Sequence, residues 1–241
     1  AMNTNMYHNP ILQDNLKKLS GYGYEIIAPA KGMLACRDEG DGKMPSEDVL
    51  VNHIVREIAY EKDLKGMKVI VTAGPTQESV DPVRYITNHS TGKMGYAIAE
   101  ELAARGAKVT LISGRTTLPV PAGVERIDVL SAEDMYNAAV SAWEDADGGV
   151  MCAAVADYTP VVVADKKLKK SDDDMRIELK RTKDISKELG ASKGNRTLVG
   201  FALETDNEEA NAEGKLERKN FDFVVLNSLR DAGAGFRGDT N

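Results

Sequence analysis

Cysteine is nearly absent: Cys36 and Cys152 are the only two in 241 residues. So few, and so far apart, they exclude a disulfide scaffold and suit a reducing cytoplasm. Histidine is equally scarce, and His8, His53 and His89 share no metal-ligand spacing with either cysteine, so no metal site built from protein ligands is expected. Long apolar runs are missing too. The longest, near 69–73 and 149–156, fall far short of the roughly 18 to 20 residues that a membrane helix needs. The first residues lack the basic and apolar regions of a secretory signal. Positive charge is in deficit, with 31 Lys and Arg against 38 Asp and Glu and a net charge of −7, which argues against general nucleic-acid affinity. Local basic clusters can still hold one small anionic ligand. What the chain does have is 42% hydrophobic residues, enough for a sizeable core and against disorder as a global description.

From residue 67 onward, short β-branched runs alternate with longer amphipathic ones, the pattern of a parallel sheet with crossover helices. Strands are expected at 69–72, 108–112, 126–130, 150–155, 177–180, 198–202 and 223–226. Helices are expected at 92–105, 132–146, 184–189 and 207–219, the last with Asp206 as its N-cap. The order predicts a doubly wound, Rossmann-like, mostly parallel α/β domain over 67–241. Residues 1–66 read as the remnant of a second α/β domain followed by a linker. They offer a helix at 10–20, a strand at 24–27, a Gly-rich polar segment at 32–44, a helix at 46–60 and the charged linker 61–66.

Four features carry chemistry. The first strand exits through Ala73-Gly74-Pro75-Thr76, and the next helix opens near Ser90-Thr91-Gly92-Lys93. Such glycines let backbone N–H groups approach a phosphate, or they simply make a turn and a helix start; both readings stay open. The spacing matches neither a Walker A loop nor a dinucleotide fingerprint, although Arg115 after the second strand keeps a phosphorylated dinucleotide in play. The insertion 77–89 is long for a compact domain and holds Arg84, suited to a phosphate or carboxylate, and Asn88, both donor and acceptor. Surface ion pairing and helix-entry capping are their ordinary alternatives. The small residues Ala153-Ala154-Val155-Ala156 lead into Asp157, where a flat ring has room and a carboxylate can accept from an exocyclic amine. Finally, Lys166, Lys167, Lys169 and Lys170 cluster after that strand, and Lys215 and Lys219 share a helix face.

Together, Val71-Thr72-Ala73-Gly74-Pro75-Thr76, the run from Asp81 to Gly95 and Ala153-Ala154-Val155-Ala156-Asp157-Tyr158 closely resemble the phosphopantothenoylcysteine synthetase family. The likeness covers about 65–241, including Lys167-Leu168-Lys169-Lys170 and Gly200-Phe201-Ala202-Leu203-Glu204-Thr205. It implies ligation of 4′-phosphopantothenate to L-cysteine with CTP and Mg²⁺ through an acyl-cytidylate. Lys167, Lys215 and Lys219 are then implied at the triphosphate and Asp157 at the cytosine amine. Met151, Cys152, Ala153, Thr182, Lys183, Asp184, Ile185 and Phe201 are implied as further nucleotide contacts, and Arg84 and Asn88 on the acyl side. A homodimer through the ligase domain, in the cytoplasm, is also implied.

In bacteria such ligases commonly follow a flavin-dependent phosphopantothenoylcysteine decarboxylase, and residues 1–66 resemble its end. Asn3 is implied as a substrate contact there and Cys36 as a proton donor, with FMN held by the full-length parent. The portion bearing most flavin contacts and the catalytic histidine is not in this sequence, and the ligase half is expected to stop before its last strands. An NADP-binding reductase-like protein and a non-catalytic binding module are the competing readings.

Overall fold

The structure, a computed structural model, describes residues 1–34, 37–170, 174–204 and 206–228. It divides into two units, Ala1–Glu61 and Lys62–Asn241.

In the first unit Asn3 caps α1 (Thr4–Tyr7) by accepting from the Asn5 N–H at 2.9 Å, and Asn9 does the same for α2 (Pro10–Gly21), which has proline in its first turn. The hairpin β1 (Ala30–Met33) and β2 (Glu39–Lys43) follows, then α3 (Glu47–Ala59). The Gly-rich segment is therefore a β-hairpin. Gly42 shows why: at φ 128°, an added Cβ would lie 2.0 Å from the Met2 carbonyl oxygen, so two backbones meet there that no side chain could separate. The strand expected at 24–27 does not form. Glu25 instead turns its carboxylate toward His53 Nδ1, 2.9 Å away, and toward Arg56 on α3.

The second unit begins inside the segment expected as a linker. Leu64 N–H donates to Arg105 O at 3.1 Å, Lys62 Nζ to Ala104 O at 2.8 Å, and Asp63 pairs with Arg105, so the segment from 62 is fastened to this unit. Its elements are β3 (Lys68–Ala73), β4 (Gln77–Ser79), β5 (Tyr85–Thr87), α4 (Lys93–Ala104), β6 (Lys108–Ser113), β7 (Val124–Asp128), α5 (Ala132–Trp143) and β8 (Gly148–Met151). There follow β9 (Tyr158–Pro160), β10 (Leu179–Arg181), α6 (Ile185–Ala191), β11 (Thr197–Glu204), α7 (Glu208–Arg218) and β12 (Phe223–Ser228).

Six strands form one parallel sheet in the order β12-β11-β8-β3-β6-β7. The chain runs outward from β3 on one side and from β8 on the other, which is the doubly wound arrangement. The middle of β3, Val69 to Val71, is apolar because both faces of the strand are covered. Its alternate residues Val69, Val71 and Ala73 pack with Tyr96, Ala99 and Ala103 of α4, while Ile70 faces Met135, Ala139 and Trp143 of α5.

Three expectations change. Residues 77–89 contain the antiparallel hairpin β4–β5 instead of a plain loop, and buried Glu78 accepts from Ala132 N–H at 2.8 Å, seating the hairpin on the start of α5. The strand at 177–180 pairs as β10 with β9, outside the main sheet. The last helix takes Asn207 as N-cap, at φ 46°, and not Asp206, which accepts from the Asn207 N–H instead.

Close packing of α6 on the end of α7 yields a prediction. A Cβ on Gly190 would sit 1.9 Å from the Lys219 carbonyl oxygen, and Gly190 O accepts from Asn220 Nδ2 at 2.9 Å. Gly190→Ala is expected to destabilise the chain by about 1 to 3 kcal/mol, the usual cost of overpacking, as a lower midpoint in urea unfolding.

Candidate functional site

The strand exit after β8 is shaped by threonines. Thr72 Oγ1 accepts from Ala153 N–H at 3.2 Å and buried Thr76 Oγ1 accepts from Ala156 N–H at 2.9 Å. Thr182 donates its hydroxyl to Ala156 O at 2.7 Å and its N–H to Asp157 O at 3.0 Å. These side chains take over backbone groups that a longer strand would have used, so β8 ends at Met151 and 152–157 runs extended along the crevice.

A cavity of about 590 Å³ opens at the carboxyl ends of β3, β8 and β11. It is lined by Met151, Ala153 and Asp157 from the strand exit, Thr182, Lys183, Asp184 and Ile185 at the start of α6, Phe201 of β11, and Lys215 and Lys219 at the end of α7. Ten of the expected nucleotide contacts thus share one cavity, although they span residues 151 to 219. The lining also includes Thr72, Val155, Tyr158, Arg181, Ser186, Lys187 and Phe221, which the sequence reading did not single out. Lys187 had a legible signal, since it lies three residues after Asp184, the N-cap, and so in the first turn of α6. Phe221 had none.

Five described lining side chains are cationic (Arg181, Lys183, Lys187, Lys215, Lys219) and two are carboxylates (Asp157, Asp184). Burial pushes the Lys215 ammonium down from its usual value, with repulsion from Lys219 adding to it and Glu204, Asp157 and Asp184 opposing. Lys215 Nζ donates to Phe201 O. Asp184 caps α6 by accepting from Lys187 N–H at 3.0 Å and also pairs with Lys219; burial works against its ionisation, but these partners hold its carboxyl below the usual range. Asp157 makes no hydrogen bond through its side chain to another described residue, and it lies exposed at the cavity wall.

The remaining expected residues fall elsewhere. Cys152 does not line the cavity, because side chains alternate along the strand exit, and burial pushes its thiol up to about 12. Lys167 is exposed on the loop after β9 and is not in the lining. Arg84 is held by Asp81, with Nε and Nη2 at 2.9 and 2.6 Å from Oδ2, the ion pairing that stood as its ordinary alternative. Asn88 donates from Nδ2 to Ala154 O at 3.1 Å and Val155 O at 3.2 Å, clasping the hairpin to the strand exit. Asn3 spends its side-chain oxygen on a helix cap. Cys36 lies outside the described residues.

The glycines of the β3 exit serve packing. Gly92, in the left-handed region at φ 82°, has Gly74 Cα 3.4 Å from where its Cβ would be, and a Cβ on Gly114 would meet Pro75 O at 2.0 Å. None of these glycines lines the cavity. Among the described residues no group of three or more His, Cys, Asp or Glu is placed to hold a metal ion. No helix among them is long and apolar enough to cross a membrane.

A doubly wound parallel sheet with a cationic crevice at its switch point defines a Rossmann-like α/β protein suited to an anionic ligand. More narrowly, the chain belongs to the DNA/pantothenate metabolism flavoprotein C-terminal domain family, which it matches over residues 64–241, and residues 1–59 match the flavoprotein family. It is 46% identical over 247 residues to a cysteine/cysteine sulfinic acid decarboxylase of an unknown prokaryotic organism, covering 100% of this chain and 69% of that protein. It is 47% identical over 244 residues to the coenzyme A biosynthesis bifunctional protein CoaBC of Bacillus subtilis (strain 168), covering 100% of this chain and 60% of that protein. A crystal structure of the C-terminal domain of CoaBC aligns with a TM-score of 0.61 at 46% identity, over 68% of this chain and 78% of the other.

Proposed function

We propose that the second unit is the ligase of coenzyme A biosynthesis that joins 4′-phosphopantothenate to L-cysteine at the expense of CTP. One observation carries the reading: the cavity pairs Asp157, a carboxylate whose side chain has no hydrogen-bond partner among the described residues, with a cluster of cations that includes Lys215 and Lys219. Such a carboxylate can accept from cytosine's exocyclic amine while the ammonium groups meet the triphosphate. In the first half-reaction the substrate carboxylate attacks the α-phosphorus and pyrophosphate leaves. In the second, cysteine's amine attacks the acyl carbon, loses a proton, and CMP leaves. Lys215, Lys219 and Lys167 would offset charge building on phosphorus, an electrostatic and positioning role. The described side chains do not fit a protein-built Mg²⁺ site, so no step is assigned to a metal held by the protein.

Thermal unfolding tests the reading. CTP with Mg²⁺ at a hundred times its Kd is expected to stabilise the chain by about 2.7 kcal/mol, whereas NADPH leaves the transition where it was. A shift with NADPH and none with CTP would overturn it. The exposed Val161, Val162 and Val163 beside the site suit burial against a second copy, and light scattering at twice the chain mass would bear out a homodimer.

For the first unit we propose a part of the decarboxylase, with Asn3 and Cys36 as its contributions. Among the described residues none of α1, α2 and α3 buries a residue, and no flavin step is derived from this unit. The 241-residue chain with added FMN is expected to release no carbon dioxide from phosphopantothenoylcysteine; release would refute this part of the reading.

A further inference from the structure

The lysine run 166–170 sits on an exposed loop of like charges, which has no means of ordering itself. It is nonetheless fastened at two points. Ala164 N–H donates to Val80 O at 3.0 Å, and four residues later Leu168 is gripped by both of its backbone groups. Its N–H donates to Asp81 Oδ2 at 3.1 Å, and its carbonyl accepts from Arg84 Nη2.

The grip is built around one carboxylate. The Asp81 side chain has 0% exposure, and its Oδ1 accepts from Val83 and Arg84 N–H, each at 2.8 Å. Its Oδ2 takes both the Arg84 fork and the Leu168 N–H. Burial opposes ionisation here, and the hydrogen bonds from Val83, Arg84 and Leu168 overcome it, holding the carboxyl far below its usual range. Nothing about an ordinary solvated loop calls for a buried, ionised carboxylate with all of these donors.

We propose that Asp81 and Arg84 are positioning residues that set where Lys167 stands for activation of the substrate carboxylate. Lys167 is the residue immediately before the gripped Leu168, so the latch fixes its backbone while leaving its ammonium free to reach. The proposal rests on the ligase reading, and it gives Arg84 an action through Lys167 in place of a direct one on the acyl substrate. Fixing the loop beforehand removes its ordering entropy from the catalytic step.

A double-mutant cycle on the 241-residue chain tests this. Arg84→Met keeps the aliphatic stem but removes every donor. It is expected to slow pyrophosphate release from CTP and 4′-phosphopantothenate by roughly 10- to 100-fold in kcat, the scale of a misplaced catalytic group, with a smaller change in KM for CTP. Lys167→Gln should cost a similar factor, and the double variant should be no slower than Lys167→Gln alone. Arg84→Lys, which keeps the ion pair without the fork, should fall between Arg84→Met and the parent. Trypsin supplies the second readout: cleavage at the lysines of 166–170 should accelerate in Arg84→Met by a larger factor than cleavage at lysines elsewhere in the chain. Additive losses in the cycle, or unchanged cleavage, would overturn the proposal. If the parent chain releases no pyrophosphate, the ligase reading fails by itself, and the trypsin rates still decide whether the latch holds the loop.

Discussion

Asn88→Asp is expected to halt amide formation after the activated acyl intermediate has formed, lowering turnover by about two to three orders of magnitude. The figure is the roughly 2.7 to 4 kcal/mol that removing one preorganised donor adds to a barrier. In the parent the Asn88 amide donates to the Ala154 and Val155 carbonyls, and Val155 is part of the cavity wall. Aspartate of nearly the same volume has no donor and sets a negative charge against two carbonyl oxygens. It also adds like charge beside an anionic acyl-phosphate. The clasp itself is worth about 0.5 to 1.5 kcal/mol per hydrogen bond, so most of the chain's stability should survive. Trapping the acyl-cytidylate and then adding cysteine reads the result directly. An intermediate that persists without forming amide supports a role in positioning the carbonyl; normal yield and rate would leave Asn88 as a hairpin clasp only.

Lys215→Met should weaken CTP binding by at least 30-fold, because truncating one partner of a largely buried, hydrogen-bonded charge contact costs about 2 to 5 kcal/mol. The ligand-free chain should melt no lower than the parent, since the buried ammonium is itself a burden on folding. The pH dependence follows from the sign of the shift. Below the lowered folded pKa both folded and unfolded chains carry the ammonium, and its burial cost is fully present. That cost fades as pH rises through the folded value toward the ordinary 10.5, where the unfolded chain also loses its proton. Nucleotide affinity runs the other way, falling over the alkaline side as the ammonium disappears. Isothermal titration of CTP across that range should show the decline setting in at lower pH in the parent than in the variant; parallel profiles would rule out Lys215 as the group responsible.

Much of this site was legible because its chemistry sits where a parallel sheet must put it. The run from Met151 to Asp157 announces a strand exit through small residues into an acid, and the four-residue spacing of Lys215 and Lys219 places two cations on one helix face. What escaped was non-local. Thr72 and Thr76 end β8 by hydrogen-bonding across some eighty residues, which no local propensity records. The β4–β5 hairpin is set by Glu78 reaching the start of α5 and by backbone pairing, so its sequence reads as a loop. Arg84 looked like an anion-binding group because its type is legible and its partner is not: Asp81 lies three residues away, but the loop both hold is more than eighty residues distant. The glycines near Gly74 fit two readings equally until their backbone neighbours were known.

The double duty of Asp184, which caps α6 and neutralises Lys219, makes the crevice an ion exchanger. A nucleotide entering it would not meet five bare cations; two of them already carry internal anions, Lys219 with Asp184 and Lys183 with Glu133 at 3.4 Å, and a phosphate would have to displace them. The gain on binding is then the difference between a carboxylate and a phosphate at the same ammonium, and added salt weakens both sides of that exchange together. Affinity should accordingly depend less steeply on ionic strength than the number of lysines and arginines around the cavity would imply. The same ion pair keeps Lys219 drawn inward, so the group proposed to meet the phosphate already lines the cavity.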